Sequence, residues 1–203
     1  MLKGLTGTKK KRNQNQIDGW NMHKIIDIGC GLEKLPGAIG IDYNAGDIHH
    51  DLNKFPYPLE DNSFDVVYSR HCLEHLDNPE KVIEELYRIC KPGGMLDIIV
   101  PYFAGYNAHH PTHRTFWNYH SFDIWCPQKD SNRWVPHINA RFEIIKILHH
   151  FYPYRVKTKY TEAEKIIFWL PQLFADRFPL LYQRVFSNLI PAYEIRFVLR
   201  TIK

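Results

Sequence analysis

The sequence lacks an apolar stretch long enough to cross a bilayer as a helix. The longest uncharged run in its later part, residues 166–175, is ten residues long and contains Pro171, against the roughly 20 a span needs. An apolar leader is not expected, since residues 1–22 are polar, carry Lys9-Lys10-Lys11-Arg12 and read as a basic tail. Cys-x-x-Cys pairs are missing. The four cysteines, at 30, 72, 90 and 126, lie far apart, so reduced thiols in a cytoplasmic protein are expected rather than a disulfide scaffold. There is little excess charge: a net +4 is too small to imply a nucleic-acid partner. Internal repeats and low-complexity tracts are absent, and 203 residues suit one domain, placed at 23–203.

What is present centres on residues 24–31. Ile25, Ile26 and Ile28 make an apolar β-branched run that ends in Asp27-Ile28-Gly29-Cys30-Gly31. Such a run reads as a buried parallel strand, and the Gly-x-Gly turn after it lets a ligand lie against bare backbone. A second strand candidate, residues 38–42, ends in Asp42, whose carboxylate can accept both hydroxyls of a ribose. The dinucleotide fingerprint needs a third glycine, and Lys34 stands there instead. That substitution favours a nucleoside ligand without a pyrophosphate and counts against a nicotinamide oxidoreductase.

The connection from Gly29 to Gly37 is nine residues, too short for an ordinary crossover helix, so the first helix is expected to shrink to about a turn before Pro36. A helix starting after the glycine turn would offer free N–H groups and a positive end to an anion. With that helix shortened, Lys34, the sole cation between Gly29 and Asp42, is expected either to reach the anionic group of the ligand or to stay a solvated lysine on a surface loop. Further strands are expected at 47–52, 64–69, 95–100, 141–149 and 193–202, with a helix at 80–90 stopped by Lys91-Pro92-Gly93-Gly94.

In order along the chain stand DIGCG at 27–31, GID at 40–42, the run from Asp51 through Pro58-Leu59-Glu60-Asp61-Asn62-Ser63-Phe64-Asp65, Leu73-Glu74-His75-Leu76, and Lys91-Pro92-Gly93-Gly94. Together they resemble a class I S-adenosylmethionine-dependent methyltransferase of the type 11 kind. The resemblance implies an α/β, Rossmann-like, seven-stranded sheet in the order 3-2-1-4-5-7-6, with only the last strand antiparallel. It implies S-adenosylmethionine as methyl donor and S-adenosylhomocysteine as product. Gly29 and Gly31 then meet the methionine part, Asp42 the ribose, and Asp51 and Leu52 the adenine edge. Ser69, Arg70 and His71 leave the fourth strand beside the methyl, and Asp27, Cys30, Lys34 and Tyr43 complete the donor site. Lys34-Leu35-Pro36-Gly37, Pro111-Thr112-His113-Arg114 and Ser121-Phe122 are similar to a bacterial and archaeal subgroup that accompanies surface-polysaccharide genes. Its usual acid before Pro-Thr-His is His110 here.

Residues 102–137 are rich in His, Trp, Tyr and Phe, including Trp117, Tyr119, Trp125 and Trp134, and read as a lid insertion over the ligand end of the sheet. His109, His110, His113 and His71 are the candidates to orient or deprotonate an acceptor. No metal is assigned: His109 and His113 have helical ligand spacing, but Pro111 between them disfavours the helix. His75 reads as a structural histidine. Residues 161–190 read as a helical cover broken by Pro171 and Pro179, serving either the core or a peripheral membrane contact. The acceptor class is a small molecule, a glycan or a lipid-linked compound. The alternative is a module that binds the nucleoside and transfers nothing.

Overall fold

Strand and turn alternate through the first half of the chain, as the apolar β-branched runs require. The computed structural model describes residues 23–126, 139–152 and 162–203; the basic tail and Trp134 lie outside them. The strands are β1 (Ile25–Ile28), β2 (Ile39–Asp42), β3 (Ile48–His49), β4 (Phe64–Arg70), β5 (Cys90–Pro101), β6 (Phe142–His150) and β7 (Glu194–Thr201). They form one sheet in the order β3-β2-β1-β4-β5-β7-β6, as the resemblance implied. Strands β1 to β5 pair in parallel, while β7 runs antiparallel to both β5 and β6. A buried fork holds β7 in place: Arg196 donates from Nε to Asp97 Oδ1 at 2.7 Å and from Nη2 to Oδ2 at 2.5 Å.

All four residues of β1 are buried, so both faces of the sheet are covered there. Ile26 and Ile28 join a large cluster with Val67, Leu86, Ile98 and Phe197. Ile25 joins a small one with Leu35, Ala38, Val66, Tyr68 and Ile99. The difference follows from the short connection. Residues 29–38 hold turns and no helix, so Leu35 and Ala38 fill the place of a helix face.

Helix α1 (Pro79–Ile89) starts where sequence chemistry puts it: Asn78 Oδ1 accepts from Lys81 N at 3.0 Å, and Pro79 needs no partner. Val82, Ile83, Leu86 and Ile89 are its buried face. Strand β5 begins earlier than the sequence suggests. Cys90 pairs with Phe64, and the register shifts before Met95 meets Val66, so the Pro-Gly-Gly turn is absorbed as an irregular strand start.

Helix α2 (Glu162–Arg177) runs through Pro171 rather than breaking there. Gln172 Nε2 donates to His149 O, and Asp176 Oδ1 accepts from His149 N at 3.0 Å; these bonds dock the helix on β6 and outweigh the missing proline N–H. The break falls at Phe178, before a short turn Pro179–Leu181 and a π-helical turn Tyr182–Phe186. Trp117, Phe122, Trp125 and Cys126, from the His- and aromatic-rich segment, belong to the main core, with the Phe122 and Phe197 rings 4.7 Å apart.

Candidate functional site

Open α/β sheets bind ligands at the carboxyl ends of their strands, where the strand order reverses. Here that point lies between β1 and β4, and the loops after β1, β2, β3 and β4 enclose a cleft of about 390 Å³. Gly29 is on its floor with φ +67°, and a Cβ there would come within 2.2 Å of Cys72 Sγ, so only glycine fits. Gly31, at φ +51°, has open space beyond its Cα and donates its N–H to Asp42 Oδ2 at 3.1 Å. Asp42 lines the cleft, and its Oδ1 accepts from Asn44 N and Ala45 N. Three backbone donors thus fix the carboxylate at the tip of β2, using three of its roughly four acceptor positions.

Tyr43, two-thirds exposed, Asp51 and Leu52 line the same cleft. Asp51 Oδ1 accepts from Asn53 N, and Leu52 O accepts from the buried Tyr57 hydroxyl at 3.0 Å. Four further residues line it that the sequence reading had not assigned: Asn53, Cys72, His75 and Leu76. Cys72, His75 and Leu76 share one side of the single turn Leu73–His75, an i, i+3, i+4 pattern that was available as a signal. A smaller cleft of about 210 Å³, near Asp65 and Gly93, sits at the amino end of β4 and has no part in this site.

Six expected donor-site residues lie outside the cleft wall: Gly31, which reaches it only through its bond to Asp42, and five more. Asp27 is buried, and its Oδ2 accepts from Leu35 N at 2.7 Å; with no helix between β1 and β2, that N–H needs a side-chain partner. Cys30 packs its sulfur against Gly40 and Gly46, and burial together with Asp27 and Asp42 pushes its thiol up to about 11. Lys34 does not face the ligand space: its Nζ pairs with Asp47 Oδ2 at 2.6 Å, and the same oxygen accepts from Gly40 N. Ser69 is fully buried and donates to Ile28 O at 3.0 Å, tying β4 to β1. Arg70 reaches back to Glu33 at 3.3 Å.

His71 is on the cleft wall with φ +49°, an uncommon backbone for a non-glycine residue. Both ring nitrogens are engaged: Nδ1–H donates to Glu74 Oε1 at 3.2 Å and Nε2–H to Glu194 Oε2 at 2.8 Å. Burial alone would lower its pKa, but the two buried carboxylates outweigh that and raise it to about 9. Glu194 also accepts from His150 Nδ1 at 3.0 Å; burial would raise its pKa, and the two histidines instead hold it at about 2. His71 is therefore a clamped imidazolium at neutral pH, which removes it as a base.

The other three histidine candidates separate. His109 ends the turn Tyr106–His109, exposed, its ring centroid 5.5 Å from that of Phe116. His110 is exposed and bonded to Thr112 Oγ1 at 2.9 Å. His113 is half-buried, donates Nδ1–H to Ala108 O at 3.1 Å, and packs edge-on against His75 at 4.7 Å. Burial lowers its pKa, so its imidazole is neutral. Of the three, His113 is the one carried to the cleft-lining His75.

A seven-stranded sheet in this order, with a nucleoside-sized cleft at the switch point, is the class I methyltransferase fold. Residues 26–98, from β1 into β5, match the family of type 11 described as a methyltransferase domain. Among curated relatives it is 40% identical over 60 residues to phosphoethanolamine N-methyltransferase 2 of Caenorhabditis elegans, a match covering 30% of this chain and 14% of that protein. The chain thus spans a small part of that relative's length. A S-adenosylmethionine-dependent methyltransferase of Archaeoglobus fulgidus superposes with a TM-score of 0.52 at 16% identity, covering 93% of this chain and 91% of the other. Phosphoethanolamine N-methyltransferase 2 of Haemonchus contortus, in complex with S-adenosyl-L-methionine, gives 0.53 at 15% identity, over 94% of this chain and 52% of that one. At such identities the two structures speak for the fold alone. Among the described residues no helix is long and apolar enough to cross a membrane.

Proposed function

We propose that the chain transfers the methyl group of S-adenosylmethionine to a small-molecule, glycan or lipid-linked acceptor. The observation that carries the reading is the Asp42 carboxylate, held by the Gly31 N–H at the tip of β2 and facing the cleft below Gly29. The remaining acceptor position suits a ribose hydroxyl, with the methionine part over the glycine turn and adenine between Tyr43 and Leu52. The sulfonium methyl is already activated, so the protein's task is to align donor and acceptor. The acceptor lone pair forms the new bond to carbon, the C–S pair stays on sulfur, and S-adenosylhomocysteine leaves. Alignment of this kind is worth about 7–11 kcal/mol. His71 holds the wall between Glu74 and Glu194 and takes no proton. The acceptor then enters on the side of His75 and His113.

A lipid-linked acceptor, such as a carrier-bound sugar of a surface polysaccharide, is favoured by one surface. Ile166, Ile167, Trp169, Leu170 and Leu173 of α2 are exposed, as are Leu180, Leu181, Val185 and Leu189 beyond it. An apolar face of that extent on helical segments fits the boundary layer of a membrane. The four free, buried thiols suit a cytoplasmic setting.

The test is incubation with methyl-labelled S-adenosylmethionine and host extract split into aqueous and lipid fractions. Label entering the lipid fraction is expected. Tight nucleoside binding with no label transferred to any fraction would instead mark a binding module.

A further inference from the structure

Glu74 stands out among the buried acids. It is 1% exposed, and His71 takes one of its carboxylate oxygens, but Oε2 is buried with no hydrogen-bond partner among the described residues. An ionised oxygen so placed is costly unless something positive faces it. Two histidines lie close to the carboxylate. One ligand atom each from Glu74, His75 and His113 lie within 4.8 Å of one another.

The ring orientations agree with a coordinating role. His113 Nδ1 lies 3.1 Å from Ala108 O, and His75 Nδ1 lies 3.3 Å from Thr112 O. A carbonyl can only accept, so the His113 Nδ1 carries the proton and its Nε2 keeps its lone pair, while His75 Nδ1 lies 3.1 Å from the Thr112 hydroxyl as well, which can donate or accept. Histidines that bind metal are commonly held this way, with the distal nitrogen donating to a backbone carbonyl. Neither carbonyl belongs to the sheet scaffold: both lie in the residue 105–114 segment that also delivers His113. That segment is pinned over Glu74 by Arg114 N donating to Glu74 O at 2.7 Å.

We infer that Glu74, His75 and His113 form a binding site for a divalent transition-metal ion of the zinc type, on the wall of the proposed donor cleft. Two imidazoles and one carboxylate are the three-ligand set of catalytic rather than structural zinc sites, which leave a position open for water or substrate. His75 also lines the cleft, which sets the cluster beside the space where the acceptor would enter. There the ion lowers the pKa of an acceptor hydroxyl; its proton leaves to solvent, and the oxygen then attacks the methyl carbon. The inference rests on the methyltransferase reading for that role but not for the site itself. The sequence hides the cluster, because 38 residues separate His75 from His113 and only the folded segment joins them.

The test uses the tag-free full chain, stripped with chelator and dialysed against zinc. About one zinc per chain is expected, and cobalt(II) in its place gives visible absorption of a low-coordinate site. His113→Ala and His75→Ala each weaken uptake by about tenfold or more, with circular dichroism showing the fold kept. Because Glu74 is buried and Glu74→Gln can perturb folding, the two histidine variants decide. No stoichiometric uptake by the folded wild-type chain, or uptake equal in wild type and the double histidine variant, overturns the site. Separate titration of the stripped chain with S-adenosylmethionine keeps the two claims apart: zinc uptake without nucleoside binding would refute the methyltransferase reading and leave the metal site standing.

Discussion

Raising the pH from 6 to 10 should destabilise this protein through His71 specifically. The folded imidazolium, clamped by Glu74 and Glu194, titrates at about 9, against an ordinary 6.5. Its stabilising contribution is complete below about 6.5 and is lost as pH rises through 9. The gap between the two values, at about 1.4 kcal/mol per pH unit, sets a ceiling of about 3.5 kcal/mol. The side chain is 30% exposed, so about 2 kcal/mol is expected. Glu194 works in the opposite direction: held at about 2, below its ordinary 4.5, it stabilises above 4.5 and ceases to as pH falls through 2. The two share one ion pair and are not added. Urea unfolding at pH 6, 8 and 10 reads the effect. His71→Asn is the control, since asparagine tolerates the positive φ and carries no titrating ring. Wild type should lose its advantage over the variant between pH 6.5 and 10. If the variant does not fold, the NMR titration of the His71 ring in wild type reads the same quantity. A midpoint near 6.5, or equal slopes in both proteins, would refute the clamp.

Two other perturbations follow from the turn after β1. Lys34→Met should leave S-adenosylmethionine affinity, read by calorimetry, unchanged, because the Lys34 ammonium is held by Asp47 and not by the cleft; a selective loss relative to 5′-methylthioadenosine, which has no carboxylate, would return Lys34 to the ligand. Gly29→Ala should destabilise the fold by about 1–3 kcal/mol in urea titration, from the positive φ and the clash with Cys72 Sγ; a neutral result would mean the turn is not held as described.

The strands were legible because β-branched runs bounded by turn residues need no long-range information. The nine-residue connection likewise announced the missing helix. Its consequence was misjudged at Lys34. The lost helix end looked like a need for charge at the ligand, whereas Asp47, in the loop between β2 and β3, was the nearer partner. Ser69 and Arg70 were misplaced for a local reason. Leaving β4 beside a cleft does not aim a side chain into it: Ser69 bonds across to β1, and Arg70 turns to Glu33. Pro171 was read by its local rule, which the contacts of Gln172 and Asp176 with β6 override. The carboxylate clamp was beyond reach, since 123 residues separate His71 from Glu194.

The central claim is that the cleft between β1 and β4 is the donor site with Asp42 as its ribose anchor. Calorimetric titration of S-adenosylmethionine into wild type and Asp42→Ala tests it directly. Hydrogen bonds to a charged group contribute about 1.5–3 kcal/mol each, so the account predicts one-to-one binding that weakens about 100-fold in the variant, with the fold intact. Equal affinity in both proteins, or no binding by wild type, would contradict it.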